Sequence, residues 1–383
     1  MTTTKNNEHK ELNVPNLRFP EFSGEWHSFL INEICSEFKS GKNIKADSIS
    51  ENGEYPVFGG NGLRGYTASY NHEGLYVLIG RQGALCGNVR SVNGKTYITE
   101  HAIAAAGNEK SNTSFLHYLF LKMNLGQYSD QSAQPGLAVN KLLKLEVSLP
   151  TISEQKKIAK LLSLLDERIT TQNKIIEDLK KLKSAIIDYA INSLDSGFVK
   201  FGSLYEMAGE GGTPTTSNAS LYDNGKIPFI KIDDLKKKYL TENKDFITEL
   251  GLQKSSAWLV PSRSILFSNG ATIGEITITT YPVCTKQGIL GIVPKPNIDV
   301  EFLYYFMSSS YFKKAVSRIV TEGTMKTVYL KDINNIRCPI PIKEKQQDIA
   351  KMPSALNSKI DFEQSILKLF CSQKQYLLRQ MFM

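Results

Sequence analysis

Several side chains that commonly read nucleic-acid bases follow short apolar runs, next to glycines. Arg64 stands beside the run Gly59-Gly-Asn-Gly62, which contains Asn61, and Arg81-Gln82 follows an apolar run that ends at Ile79. Arginine pairs well with the edge of guanine, and asparagine or glutamine with the edge of adenine. These residues predict contacts with nucleic acid in the first half of the chain. Salt bridges and turn contacts are an equally good interpretation of Arg64 and Arg81-Gln82, and glycine runs also serve tight turns.

The second half places similar residue types in loop-like positions. Its candidates for nucleic-acid contact are Lys231, Asn269, Lys286, Gln287, Thr324, Met325 and Lys326. The run Lys236-Lys-Lys238 fits a contact with phosphates or an ordinary solvated stretch of charge. The net charge of +8 is spread along the chain, so composition alone gives nucleic-acid binding modest support.

Catalytic motifs are missing from the sequence. It has no Asp/Asn-Pro-Pro-aromatic motif for amino methylation and no Walker-type phosphate loop, and its five cysteines and five histidines are scattered. Asp234-Leu-Lys236 matches a nuclease pattern only over a length that chance supplies. We therefore expect no catalytic residue, metal site or cofactor in this chain. The sequence has no 18-residue apolar run and no signal-like start, so we expect a soluble, cytoplasmic protein that does not enter a membrane.

One phrase occurs twice, 191 residues apart, and each copy opens a long helical pattern. Residues 150–160 read PTISEQKKIAK and residues 341–351 read PIKEKQQDIAK. Apolar residues then recur at helical spacing over roughly 152–193 and 344–382. The predicted stripes comprise Ile158, Leu161, Leu165, Ile169, Ile176, Leu179 and Ile186 in the first helix and Ile349, Leu356, Ile360, Leu367, Phe370 and Leu377 in the second. We expect Pro353 to kink or break the second helix near its first turns.

The segments before these helices are strand-rich and share one plan. The pairs of matching segments are 55–58 with 227–230, 82–87 with 269–274, and 115–118 with 302–305, and a further helix is predicted over 113–124. This duplication predicts a multidomain α/β (α+β) protein with two globular mixed domains, residues 1–150 and 197–341. Two long antiparallel helices, within residues 151–196 and 342–383, then form an intramolecular coiled coil with approximate two-fold symmetry. Self-association of the helices is the competing interpretation.

Four signatures in this order resemble the specificity subunit of type I restriction-modification systems, over nearly the whole chain. The first is the start, Pro15-Asn-Leu-Arg-Phe-Pro-Glu-Phe22 with Trp26. The second joins residues 55–62 to residues 79–84, and the third joins Gly211-Gly-Thr-Pro214 to residues 227–234 and 270–274. The fourth is the start of each long helix, together with residues 377–382. The sequence departs from the family pattern at Lys345, where glutamate is expected, and at Pro353, where the first repeat has Leu162.

The resemblance implies a non-catalytic subunit that recognises double-stranded DNA. In this family each recognition domain reads one half of a bipartite, asymmetric site. The helices, through the stripes above, set the spacer and dock two methyltransferase subunits. Those partners use S-adenosylmethionine, and restriction subunits use ATP and Mg²⁺. An alternative is a two-headed coiled-coil adaptor that holds protein partners and does not read DNA.

Overall fold

The computed structural model describes residues 13–130, 136–270, 272–320 and 326–383. The chain divides into two compact units. Unit 1 contains Met1–Asn173 and Ile366–Met383, and unit 2 contains Lys174–Ser365. Each unit therefore combines a strand-rich segment with parts of both long helices.

Unit 1 is built from two four-stranded sheets and one two-stranded ribbon. Its strands are β1 (His27–Leu30), β2 (Cys35–Ser40), β3 (Tyr55–Gly59), β4 (Gly62–Thr67), β5 (His72–Glu73), β6 (Tyr76–Gly80), β7 (Val89–Val92), β8 (Lys95–Ile98), β9 (Ala102–Gly107) and β10 (Glu146–Leu149). Its short helices are α1 (Ile31–Ile34), α2 (Thr113–Met123) and α3 (Val139–Leu142), and the long helix α4 (Ile152–Asn192) begins here. The sheet orders are β2-β9-β6-β7 and β4-β3-β8-β5, and β1 pairs with β10. Strands β3 and β8 pair in parallel.

Unit 2 repeats this plan, except that its larger sheet has five strands and its smaller sheet has three. Its strands are β11 (Phe198–Lys200), β12 (Tyr205–Glu210), β13 (Ile227–Ile230), β14 (Tyr239–Leu240), β15 (Phe246–Ile247), β16 (Ile265–Ser268), β17 (Ile276–Thr279), β18 (Cys284–Thr285), β19 (Ile289–Pro294) and β20 (Arg337–Pro339). Its helices are α5 (Glu249–Gln253), α6 (Val300–Ser308), α7 (Ser310–Ser317) and α8 (Leu330–Ile333), and the long helix α9 (Lys343–Gln380) begins here. The orders β12-β19-β16-β17-β14 and β15-β13-β18, with the ribbon β11-β20, match the three sheets of unit 1.

The core of unit 1 forms where α2 packs against a sheet. Asn112 caps this helix by accepting a hydrogen bond from the Phe115 backbone, and the helix buries Phe115 and Phe120. Phe382, which follows the end of α9, belongs to the same core. It is 3% exposed and stacks on Phe115 with ring centroids 5.0 Å apart. The predicted helix over 113–124 is confirmed, and it ends at Asn124 in a left-handed conformation.

Unit 2 has an equivalent core beneath α6. Asp299 caps α6 through the Phe302 backbone, and Phe302, Phe306 and Phe312 are fully buried. Gly209 and Gly291 face each other across β12 and β19, and a Cβ at Gly291 would come within 2.8 Å of the Trp258 ring. Gly209 thus lies within strand β12, where it pairs with Gly291.

A glutamine explains the repeated phrase at the start of each long helix. In unit 1 the Gln155 amide donates to the carbonyls of Lys110 and Pro150, and its oxygen accepts from the N–H of the α2 cap, Asn112. In unit 2 Gln346 makes the same three bonds, to Asn297, Pro341 and the α6 cap, Asp299. Each buried glutamine thereby ties the start of a long helix to the cap of a core helix.

The departure at Lys345 also has a structural reason. Its counterpart Glu154 is fully buried and accepts two hydrogen bonds, 2.7 and 2.8 Å long, from the Arg18 guanidinium. Arg18 belongs to the segment that precedes β1, whereas the first strand of unit 2, β11, follows the end of α4, and Lys345 is exposed. Without that arginine a buried carboxylate would be costly, and a solvated lysine is favourable.

Both long helices run without interruption, and every residue of the predicted stripes is at least partly buried. The sequence stripe missed the fully buried Leu162 and also Ile187 and Ile191. Of the kink or break expected at Pro353, the break is wrong, because α9 continues through this buried proline. Pro353 packs where Leu162 packs in the first copy, and the surrounding turns hold the helix despite the missing N–H.

The helix segments within each unit lie antiparallel. In unit 1 Asp166 of α4 accepts a 2.5 Å hydrogen bond from Lys374 of α9, while Ile158 shares a core with Met381 further along. In unit 2 Asn357 of α9 accepts a 2.9 Å bond from Lys183 of α4. The members of the two pairs are 191 residues apart, Asp166 with Asn357 and Lys183 with Lys374, so the sequence repeat is also a repeat of contacts.

Candidate nucleic-acid interface

In each unit, candidate residues follow the carboxyl ends of two parallel strands. Strands β3 and β8 pair in parallel in unit 1, and β13 and β18 do so in unit 2. Just beyond them, the Thr99 N–H donates to the Phe58 carbonyl, and the Lys286 N–H donates to the Ile230 carbonyl, both at 2.9 Å. Loops that leave adjacent parallel strands at the same end meet there.

A third strand ends beside each pair and fixes the correspondence between the units. The Arg81 N–H donates to the carbonyl of His101, and the Asn269 N–H donates to that of Gly288. The carbonyls of Arg81 and Asn269 accept from Leu137 and Val328, respectively, both at 2.9 Å. Arg81 therefore corresponds to Asn269, and His101 to Gly288.

This correspondence corrects the sequence alignment by one residue. The repeated Gly-Ala pattern had matched Gln82 with Asn269. The bond that closes each turn joins Gly87 to Gly80 in unit 1 and Gly274 to Ser268 in unit 2. The first turn is thus one residue longer, which the identical spacing of glycines hides in the sequence.

Unit 1 gathers three of its four candidates around an open groove of about 420 Å³. Asn61, Arg64 and Gln82 line this groove together with His101, and all four are exposed. The remaining candidate, Arg81, is half-buried and lies next to Gln82. We call this set of groove residues the unit 1 groove.

The glycine run shapes the groove by conformation and by close approach. Gly62 has a φ of +107°, so the interpretation as a tight turn is confirmed there. A Cβ at Gly62 would lie 3.0 Å from a guanidinium nitrogen of Arg90, and one at Gly59 would lie 2.9 Å from the side chain of Arg64. The glycines therefore let two arginines approach the backbone. In unit 2 the run behaves differently, because Gly211 and Gly212 have crowded surroundings without a positive φ.

Two residues of this region were missed by sequence reasoning. Arg90 lies on β7 and is exposed, but no glycine or motif stands beside it in the sequence. His101 is one of the scattered histidines; its Nδ1 lies 3.1 Å from Oε1 of Gln82, and its Nε2 lies 3.2 Å from Oε1 of Glu100. Its position two residues beyond Thr99 would have been a signal only once the parallel pairing was known.

Unit 2 presents Lys286 and Gln287 in an exposed turn after β18. The Gln287 N–H donates to the Thr213 hydroxyl, so the backbone of the turn is fixed while both side chains remain exposed. Lys231, at the end of β13, is also exposed but forms a 2.7 Å ion pair with Asp245. Lys286 and Gln287 are accordingly well placed for contact with a ligand.

Asn269 is placed less favourably than these two residues. Asn269 is 2% exposed, and its amide donates to the Val328 carbonyl, so its side chain holds the loop together. Lys326 is exposed. Thr324 and Met325 lie outside the described residues.

The lysine run 236–238 divides between surface and core. Lys236 and Lys237 are exposed and pair with Asp233 and Glu242. Lys238 is buried, forms an ion pair with Glu301 and donates to the hydroxyls of Tyr305 and Ser354. For Lys238 the predicted phosphate contact and the solvated alternative are both wrong.

The surroundings of the Cys86 and Cys284 thiols do not activate them. Burial raises the pKa of Cys86, which donates to the Arg81 carbonyl, and raises that of Cys284 to about 11. A raised pKa disfavours the nucleophilic thiolate. Within the described residues no group of three or more His, Cys, Asp or Glu side chains could hold a metal ion. Across the same ranges, no helix has the length and apolar character needed to span a membrane.

Comparisons with known proteins agree with the duplicated architecture. A family model described as the type I restriction modification DNA specificity domain matches residues 23–181 and again residues 194–369. The specificity subunit of the type I restriction enzyme EcoprrI from Escherichia coli is 40% identical over 183 residues, which cover 47% of this chain and 44% of that protein. That of MjaIX from Methanocaldococcus jannaschii is 30% identical over 165 residues, covering 42% of this chain and 38% of that protein. The chain thus aligns with less than half the length of these two relatives.

The fold has a counterpart among solved structures. The S subunit of a type I restriction-modification system from M. genitalium superimposes with a TM-score of 0.64. The superposition covers 97% of this chain and 99% of that one, at 18% identity. At this identity the likeness concerns the fold.

Proposed function

The chain belongs to the family of type I restriction-modification DNA specificity domains, and we propose that it is the subunit that gives such a complex its DNA sequence specificity. Each unit reads one half of a bipartite site on double-stranded DNA. In this proposal residues 1–150 and 197–341 are the reading domains, and residues 151–196 and 342–383 are the spacers. The observation that carries the proposal is the repeated set of polar loops at the carboxyl ends of two parallel strand pairs.

Base recognition falls to the exposed loop side chains. In unit 1 these are Asn61, Arg64 and Gln82, joined by Arg90, and in unit 2 they are Lys286 and Gln287. Their chemistry suits the major groove, where guanine offers two acceptors and adenine offers an acceptor and a donor. Because the loop contents of the units differ, each unit reads a different sequence, and the whole site is asymmetric.

The chain works with catalytic partners and does not itself cut or methylate DNA. We propose two methyltransferase subunits, which bring S-adenosylmethionine, and restriction subunits, which bring ATP and Mg²⁺, in the cytoplasm. The long helices provide the docking surface for the methyltransferase subunits. The adaptor alternative finds no support among the three relatives described above, each of which is named as a specificity subunit or S subunit.

Exchange of one reading domain tests the function. Cells express the chain with its methyltransferase subunit, and sequencing of methylated bases reports the motif. Replacing residues 197–341 by the corresponding domain of a relative should change one half of a bipartite motif and leave the other half intact. An unchanged motif would contradict the proposal, and robust methylation by the purified chain alone would contradict its non-catalytic part.

Lys286→Ala offers a finer test within unit 2. If Lys286 contacts a base, its loss should relax one position of one half-site, at a cost of about 1–3 kcal/mol for a bidentate contact. Equal weakening on all DNA sequences would assign Lys286 to the phosphate backbone. Lys254→Ala, which removes an exposed lysine next to α5, is a matched control.

A further inference from the structure

The contact between His101 and Gln82 constrains what Gln82 can offer to DNA. A carboxamide carries an acceptor oxygen and two donor N–H groups. In the unit 1 groove Oε1 of Gln82 lies 3.1 Å from Nδ1 of His101, which donates to it. The opposite ring nitrogen, Nε2, is 3.2 Å from Oε1 of Glu100. Each ring nitrogen thus faces a side-chain oxygen, so His101 is held between Gln82 and Glu100.

The imidazole is not needed to build this part of the fold. The position that corresponds to His101 in unit 2 is Gly288, whose carbonyl accepts the same bond from the neighbouring strand end. The His101 side chain remains 46% exposed, so it contributes little to the core. A histidine that the duplicated architecture does not require, and that touches a groove residue, calls for a functional reason.

We propose that His101 is a positioning residue that sets the base preference of Gln82, an inference that rests on the proposed function. With its oxygen held by His101, Gln82 presents its N–H groups to the groove. It then selects a base that offers an acceptor at the major-groove edge, namely guanine O6 or N7, thymine O4 or adenine N7. The two-bond pairing of glutamine with adenine needs the amide oxygen as well, so His101 removes the advantage that adenine would otherwise have.

Among the residues that the structure describes, unit 2 has no histidine at the position that corresponds to His101. Gln287 in unit 2 is exposed, but the residue after it is Gly288, which has no side chain that could hold an amide. The inference therefore predicts an effect confined to one half-site. Such confinement separates positioning from a general loss of DNA affinity.

Selection from a random duplex library tests the inference with the purified full-length chain. Sequencing of the bound DNA gives base frequencies at each position for the wild type and for His101→Ala. We expect one position in the unit 1 half-site to shift toward adenine by at least about fivefold, the lower limit for a bidentate pair. The half-site of unit 2 should be unchanged. His101→Asn should restore the wild-type preference, because its side-chain N–H can replace Nδ1–H as the donor to Gln82.

Control variants distinguish the outcomes. Gln82→Ala should abolish the preference at that position, and His101→Ala should then have no further effect in its presence. Gln287→Ala should alter only the unit 2 half-site. His101→Gly introduces the residue found at the corresponding position of unit 2, Gly288. This variant replaces His101→Ala in the test if His101→Ala does not fold. An unchanged motif in His101→Ala or His101→Gly, or equal loss at both half-sites, would overturn the inference while the proposed function stands. A wild-type chain that selects no motif would overturn both.

Discussion

Single hydrogen-bonding side chains decide how each reading domain is joined to its helix. Gln155 and Gln346 are both buried, and each satisfies three backbone groups near the start of a long helix. Loss of such a side chain leaves buried donors and acceptors unpaired, which costs more than the bonds themselves contribute. These hydrogen bonds explain why the repeated phrase has a glutamine at this position in both copies.

Gln346→Ala should lower the free energy of unfolding by about 2–4 kcal/mol, because three buried backbone groups lose their partners. The Asp299 amide, which donates to Gln346, should exchange its hydrogen faster. Chemical denaturation and hydrogen exchange of a peptide covering residues 297–302 measure both effects. Gln347→Ala is the control, since Gln347 is an exposed neighbour on the same helix. Equal effects of the two variants would show that stability depends on substitution in this part of the helix in general, and not on the three hydrogen bonds of Gln346.

His117 makes the stability of the chain depend on pH. Burial and the nearby Lys374 ammonium lower its pKa to about 4 from the usual 6.5. Because the folded pKa lies below the unfolded one, stability is fully present above about pH 6.5 and is lost as the pH falls toward 4. His117→Gln should flatten this dependence by an amount on the order of 3 kcal/mol. Unfolding titrations at pH 7.5, 6 and 5 test this, with the exposed His27→Gln as control; the same slope in both variants would refute it.

At the residue scale, sequence reasoning found residue types but not their surroundings. Asn61, Arg64 and Gln82 were identified because they stand near glycines, and they do line one groove. Asn269 and Lys238 look like surface residues in the sequence, yet tertiary packing buries both. His101 and Arg90 were missed because only the pairing of distant strands brings them to the groove.

At the element scale, the sequence was informative wherever a period extends over many residues. The bounds of α4 and α9 fall within two residues of those expected, since a 40-residue apolar repeat averages out local exceptions. The short turns after β6 and β16 gave a register error of one residue. Their glycine spacing is the same, whereas the hydrogen bonds that close the turns are not.

Pro353 is the position in the long helices where the expectation from the sequence was not met. A proline inside a helix removes one backbone hydrogen bond and usually breaks or kinks the helix, yet α9 is continuous across it. Pro353→Leu, which restores the residue type of the corresponding Leu162, should raise the free energy of unfolding by about 1–3 kcal/mol because the missing N–H is regained. The reciprocal Leu162→Pro should destabilise the chain by at least about 3 kcal/mol. If Pro353→Leu were destabilising, packing of the ring would outweigh the recovered hydrogen bond.

At the scale of the whole molecule, the duplication concerns contacts as well as sequence. The offset of 191 residues relates the hydrogen bonds of Gln155 to those of Gln346. It also relates the two lysine hydrogen bonds that join the long helices. It also links Ile191 to Phe382, and both are buried in the core of their own unit. The scaffold is thus conserved between the halves of one chain while the loops at the strand ends have diverged. Such a division lets recognition change without altering the parts that hold the domains.

The long helices connect the units along the chain, which makes their length a testable determinant of the spacer between half-sites. Ile176 and Leu367 are 191 residues apart and hold corresponding places in α4 and α9. Inserting seven helix-forming residues after each adds about 10 Å per helix, equal to about three base pairs at 3.4 Å each. The methylated motif should keep both half-sites and gain two to four unread base pairs between them. An insertion in one helix alone disrupts the pairing and should abolish recognition. If the half-sites changed while the spacer stayed constant, the helices would not set the distance.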